Sequence, residues 1–204
     1  MAYDVDLGRL QVHLRRLDRD DLLNFMDRAL EALPADSLTS LIQSLPRWNL
    51  AALAPQPLLE SVAEFHKASL AGQYYESFEV NYKNCHETSR GTDTWLAECG
   101  RLFAECMKAS GPQARQGFES LFELLRMIDS GDRDIVFFGD EGGSYLLGVD
   151  WKELLGAYFC CLAATATAEQ YTGLVMAVIE DFVAHDRERF LALAERTIGE
   201  DPGT

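Results

Sequence analysis

His86, with Glu76 and Glu79 upstream, is the set of residues in this sequence best suited to general acid–base chemistry. An imidazole exchanges protons near neutral pH, and a carboxylate can orient it or share its proton. Tyr75 stands beside Glu76, and Asn81, Lys83, Asn84, Glu87, Ser89 and Arg90 make the surrounding stretch dense in polar groups. Polar loops carried on a rigid scaffold often hold sites, so residues 74–94 form a candidate pocket lined by Tyr75, Glu76, Glu79 and His86. The plainer alternative is a solvated connection, because no nucleophile or cofactor motif accompanies these residues.

Metal chemistry finds less support. Cys85, His86, Cys99 and Cys106 are the only potential zinc ligands close in sequence, and their spacing matches no familiar zinc pattern. Cys99 and Cys106 lie seven apart, on one helical face with Leu102 and Phe103, as buried thiols acting as small hydrophobes do. Adjacent Cys160 and Cys161 point to different faces of a helix. No histidine has a glutamate three residues earlier, which argues against a di-iron bundle. Asp129, Asp132 and Asp134 lack the ligand order of a calcium loop. Phosphate-loop, dinucleotide, nucleophile-elbow and zinc-protease signatures are all missing. Neither a metal nor a cofactor is expected.

A second candidate lies at Phe137, Phe138, Asp140, Glu141 and Tyr145. The runs IVFFG and SYLLGV flank DEGG, which reads as a short β-hairpin over residues 135–149. Its tip would present two carboxylates among aromatics, suited to anchoring a basic partner; the plainer reading is a tight turn with solvated acids.

The elements that must position these residues read as helices. Leu7, Leu10, Leu14 and Leu17 recur at three- and four-residue spacing. Leu22, Leu23, Met26, Leu30 and Leu33 give a second helix with an expected buried face, ended by Pro34, and Ser37 to Leu45 gives a third. Together they form an expected three-helix unit over residues 1–45. Residues 46–57 hold three prolines and Trp48 and read as a linker. Residues 58–204 form the main domain. It begins with a helix carrying Leu58, Leu59, Val62 and Phe65, followed by a helically spaced aromatic run, Tyr74, Tyr75, Phe78 and Tyr82.

Beyond a polar loop over 85–94, a helix opens at Trp95, and another carries Phe118, Leu121, Phe122, Leu125 and Ile128. Asp150 with Glu153 and Thr167 with Gln170 form capping boxes opening two more helices, and a last one begins near Asp186. The expected fold is mainly all-α, an irregular bundle of eight to nine helices with one hairpin, and no internal repeat supports a solenoid.

Acidity bounds the partners. Among 204 residues, 33 acids face 18 bases, a net charge of −15, and residues 140–204 alone carry 12 acids and 4 bases. Direct nucleic-acid binding would need a basic patch to oppose that field, and Arg9, Arg15, Arg16 and Arg19 alternate with Asp18, Asp20 and Asp21 instead. No secretory leader is visible at the N-terminus, no stretch approaches the roughly 20 apolar residues of a membrane span, and the five cysteines are odd in number; a cytoplasmic protein of bacterial type with reduced thiols is expected.

By elimination, the expected function is that of a non-enzymatic acidic helical protein that binds another protein, possibly a basic one, and regulates or neutralises it, in the manner of immunity proteins, antitoxins and inhibitors. The alternatives are a subunit of a larger assembly, oligomerising through residues 1–45, a ligand-binding protein or enzyme using the pocket at 74–94, and an acidic mimic of nucleic acid.

Overall fold

A computed structural model describes residues 14, 17–34, 37, 57–131, 134–138 and 142–199. The chain divides into two units, Met1–Pro55 and Gln56–Thr204. Seven α-helices occur among the described residues: α1 (Arg19–Ala32), α2 (Leu58–Leu70), α3 (Arg90–Lys108), α4 (Gly111–Ser130), α5 (Trp151–Thr165), α6 (Ala168–Phe182) and α7 (Arg187–Gly199). Two single 3-10 turns, Ser144–Leu147 and Ala184–Asp186, complete the order. The mainly helical class stands, and no strand occurs among the described residues. The expected eight or nine helices are not reached there; the segments read as helices at 7–13 and 38–45, and the linker at 46–56 with Trp48, lie outside them.

In the first unit, Asp18 caps α1 by accepting from the Asp21 backbone N–H at 2.9 Å. The expected burial of the face bearing Leu23, Met26, Leu30 and Leu33 is not observed: α1 has no buried residue, and these four are exposed. A helical period tells which side chains share a face. It does not supply a surface to cover that face.

The second unit holds the core. Helix α4 is its centre, packing on α2, α3 and α5, while α7 lies on α5 and α6. Phe118, Leu121, Phe122 and Leu125, one stripe of α4, are buried as their spacing requires. Phe103, Phe118, Phe122 and Tyr158 bring aromatic rings from three helices within 5.1–6.3 Å of one another. Gly117 lets α3 approach α4: a Cβ there would stand 2.7 Å from the Cys106 sulfur. Both capping signals act at helix N-termini. Thr167 and Gln170 form the complete reciprocal box, and the Asp150 carboxylate accepts from the Lys152 and Glu153 N–H groups.

The thiols follow from this packing. Cys99, Cys106 and Cys161 are buried and Cys160 is exposed. Burial, reinforced by the neighbouring Cys161, pushes Cys106 up to about 12, and burial likewise raises Cys99 well above the ordinary thiol range. A group whose folded value is raised contributes stability that is complete below its unfolded value and lost as the pH climbs toward the folded one. Unfolding free energy is therefore expected to fall between pH ~9 and pH ~12, by up to about 1.4 kcal/mol per pH unit from Cys106. Urea unfolding at pH 7.5 and pH 10 reads the effect, and Cys106→Ala removes its share; a Cys106→Ala protein with an undiminished alkaline loss would refute the assignment.

Candidate functional site

Two features of the second unit could bind something: the loop between α2 and α3, and a cleft beside it.

The loop does not continue the helical spacing of Tyr74, Tyr75, Phe78 and Tyr82. Helix α2 ends at Leu70, and Gly72 turns the chain with φ +67°. Residues 75–81 carry no helix, and 82–86 form turns. The reason is local competition: the Asn81 and Asn84 side chains bond the nearby backbone. Asn84 Oδ1 accepts from Asn81 N–H at 2.7 Å, Asn81 Oδ1 accepts from Lys83 N–H at 3.0 Å, and Asn84 Nδ2 donates to the Glu79 carbonyl at 2.9 Å. Backbone bonds from Asn84 N to the Asn81 carbonyl and from Glu87 N to the Asn84 carbonyl close the same turn.

The flanks of this turn are tied to the bundle. Glu76 accepts from the Gly91 N–H at 3.0 Å, which places a carboxylate at the positive end of α3. A Cβ on Gly91 would strike the Tyr74 carbonyl group, 3.0 Å from its carbon, so the approach requires glycine. Helix α3 also begins five residues before the expected Trp95, because Ser89 Oγ accepts from the Thr92 N–H at 3.0 Å and serves as its N-cap. Phe137 packs edge-on against Tyr75 and Phe78 at 5.9 and 4.9 Å.

The β-hairpin expected over 135–149 is not formed. A single antiparallel bridge joins Thr88 to Phe138, and the run read as a second strand is the 3-10 turn Ser144–Leu147. Phe137 finds its hydrogen bonds elsewhere: the buried Thr92 hydroxyl donates to its carbonyl at 2.6 Å and accepts from its N–H at 3.1 Å. Asp129 takes Ser144 into a turn, accepting from its N–H at 2.8 Å and its hydroxyl at 2.6 Å, and Leu147 enters the core.

The candidate residues are accordingly redistributed. Phe137 and Phe138 are half-buried, and Phe138 lies against Gly142. Tyr145 is 64% exposed, while Asp140 and Glu141 lie outside the described residues. Of the pocket candidates, Tyr75 is half-buried against Phe137, whereas Glu76, Glu79 and His86 are exposed. Glu76 bonds the first turn of α3, and Glu79 takes part in the turn through its backbone carbonyl. The loop's outermost side chain is Tyr82, 86% exposed, with the Lys83 ammonium 5.6 Å from its ring centre.

The cleft lies between α2 and α3 and measures about 440 Å³. Phe65 and Tyr74 meet there at 5.7 Å, with Ala68 and Ala71 beside them and Glu64, Lys67, Glu98 and Arg101 around them. Arg101 donates twice to Glu98, at 2.8 and 2.6 Å, which holds the guanidinium charge more firmly still. Partial burial, aided by the Glu98 charge, raises the Tyr74 phenol above its ordinary value. Of these residues, the sequence pattern marks Phe65 on a helix and Tyr74 in the aromatic run but does not bring them into one cleft, since the two walls meet only when α2 and α3 pack. Among the described residues, no cluster of three or more histidine, cysteine or acidic side chains could hold a metal ion, and no helix is long and apolar enough to cross a membrane.

No protein-family model, curated protein or solved structure matches the chain.

Proposed function

We propose that this is a non-enzymatic interaction protein that captures a basic protein partner through the loop carrying Tyr82. The observation that carries the reading is an aromatic ring, 86% exposed, displayed by a turn whose shape is fixed by its own hydrogen bonds. A pre-ordered loop loses little entropy on binding, and tyrosine is a frequent interface anchor. The Lys83 ammonium lies over the ring, 5.6 Å from its centre, and the ring is exposed enough for a partner's arginine or lysine to take the opposite face.

Glu79 and Glu87 on the same loop are exposed, and the chain's charge of −15 would speed and orient the approach of a basic surface. Neutralising or regulating that partner by covering a basic functional surface is the role this arrangement fits, in a cytoplasmic setting.

The test is affinity capture with the tagged protein from lysate of its source cells, at low and high salt, comparing the parent with Tyr82→Ser. One basic partner in stoichiometric amount, released by salt, is expected. Tyr82→Ser should weaken its capture by about 2 kcal/mol, roughly thirty-fold, while leaving the thermal transition unchanged. Equal capture by the variant would remove Tyr82 from the interface.

A further inference from the structure

We infer that the cleft between α2 and α3 binds a small zwitterion of dipeptide size, with its ammonium against Glu64, its carboxylate against Lys67 and its apolar side chain over Ala68 and Tyr74.

The argument begins with a helical spacing. An acid three residues before a base brings the two side chains together on one helix face. Glu98 with Arg101 and Glu105 with Lys108 do so, at 2.6 and 3.1 Å, while Glu123 and Arg126 on α4 are committed instead to His66 and Asp181. Glu64 and Lys67 have the same order and spacing and form no such pair among the described contacts, although both line the cleft. Glu98 and Arg101 neutralise each other across from them. The cleft is thus left with one uncommitted charge of each sign, in a lining that also holds the half-buried Tyr74 ring.

A ligand with both charges satisfies this arrangement without leaving net charge behind, and an ion of either sign alone does not. The termini of an extended dipeptide stand about 6 Å apart, from one peptide unit and its end bonds, so each can meet a different one of these two side chains. The volume of about 440 Å³ lies toward the small end of ligand sites and accommodates such a molecule. Tyr74 and Ala68, both half-buried, offer an apolar surface for one of its side chains.

The experiment is an amide NMR titration of the full chain with L-alanyl-L-phenylalanine, and with its N-acetylated, C-amidated form as the uncharged control. Saturable shifts are expected at the amides of Glu64 to Tyr74 and of Glu98 to Arg101, with a dissociation constant in the millimolar range. The blocked peptide should bind at least about ten-fold more weakly, and Glu64→Gln and Lys67→Gln should each cost about five- to ten-fold. Both positions are exposed, so unchanged far-UV circular dichroism will show that the variants fold. Tyr82→Ser should leave the titration as it is, which separates this site from the partner surface. Absence of saturable shifts, equal binding of the blocked peptide, or parental affinity in both charge variants would overturn the assignment.

Discussion

Replacing Trp95 with alanine is expected to lower the unfolding free energy by about 3–5 kcal/mol, the range for deleting a fully buried large aromatic. The ring is wholly buried and lies 5.3 Å from Phe65. Its indole N–H donates to Ser69 Oγ at 2.8 Å, and that hydroxyl donates in turn to the Phe65 carbonyl at 2.8 Å. The substitution therefore leaves a cavity and also removes the donor that satisfies a buried oxygen. Trp95→Phe separates the two effects: it restores most of the volume and leaves Ser69 without its donor, so a loss of about 1–3 kcal/mol is expected. Urea unfolding with an unchanged denaturant slope measures both. A Trp95→Ala protein within 1 kcal/mol of the parent would show that α2 and α3 are not joined through this ring.

The second large effect is expected at Thr92. Valine there preserves shape and burial and removes the hydroxyl that both donates to and accepts from the Phe137 backbone. It also removes a 2.9 Å contact with the Ser89 hydroxyl. Two partly buried backbone groups lose their partner, and a cost of about 2–4 kcal/mol follows if each contributes about 1–2 kcal/mol. The loss should be concentrated around 135–138, so hydrogen exchange at Phe137 should accelerate well beyond that at Phe118. Thr92→Ser, which keeps the hydroxyl, should retain most of the protection. Equal exchange in Thr92→Val and the parent would mean that this hydroxyl does not hold the segment.

These two residues also show where the sequence was legible. Successive residues of the α4 stripe are three apart or adjacent, and Thr167 and Gln170 are three apart, so periodicity and capping rules recover them. Thr92 and Phe137 are 45 residues apart, and nothing in IVFFG announces that its ladder partner is a threonine hydroxyl in place of a second strand. The hairpin reading failed on that point. Ser69 falls on the buried face of α2, but only the fold reveals that it receives Trp95.

Tyr82 reads as the last member of a helical aromatic run because its spacing from Phe78 is helical. The countersignal was local: two asparagines three apart, Asn81 and Asn84, are side chains that compete with the helix for its backbone hydrogen bonds. The cleft left no trace in sequence, because Glu64 and Lys67 come to line one cleft with Glu98 and Arg101 only through the packing of α2 on α3.

The turn that displays Tyr82 draws its form from Asn81, Asn84 and the backbone between Glu79 and Glu87, and its two feet rest on Glu76 and on the Phe137 ring. In evolutionary terms, the scaffold and the displayed ring are separable. The Phe103, Phe122 and Tyr158 rings hold the bundle, whereas a change at position 82, where the side chain is 86% exposed, alters the displayed face without touching the core. A single substitution in this short segment can in this way change what the surface shows there and leave the helices as they are.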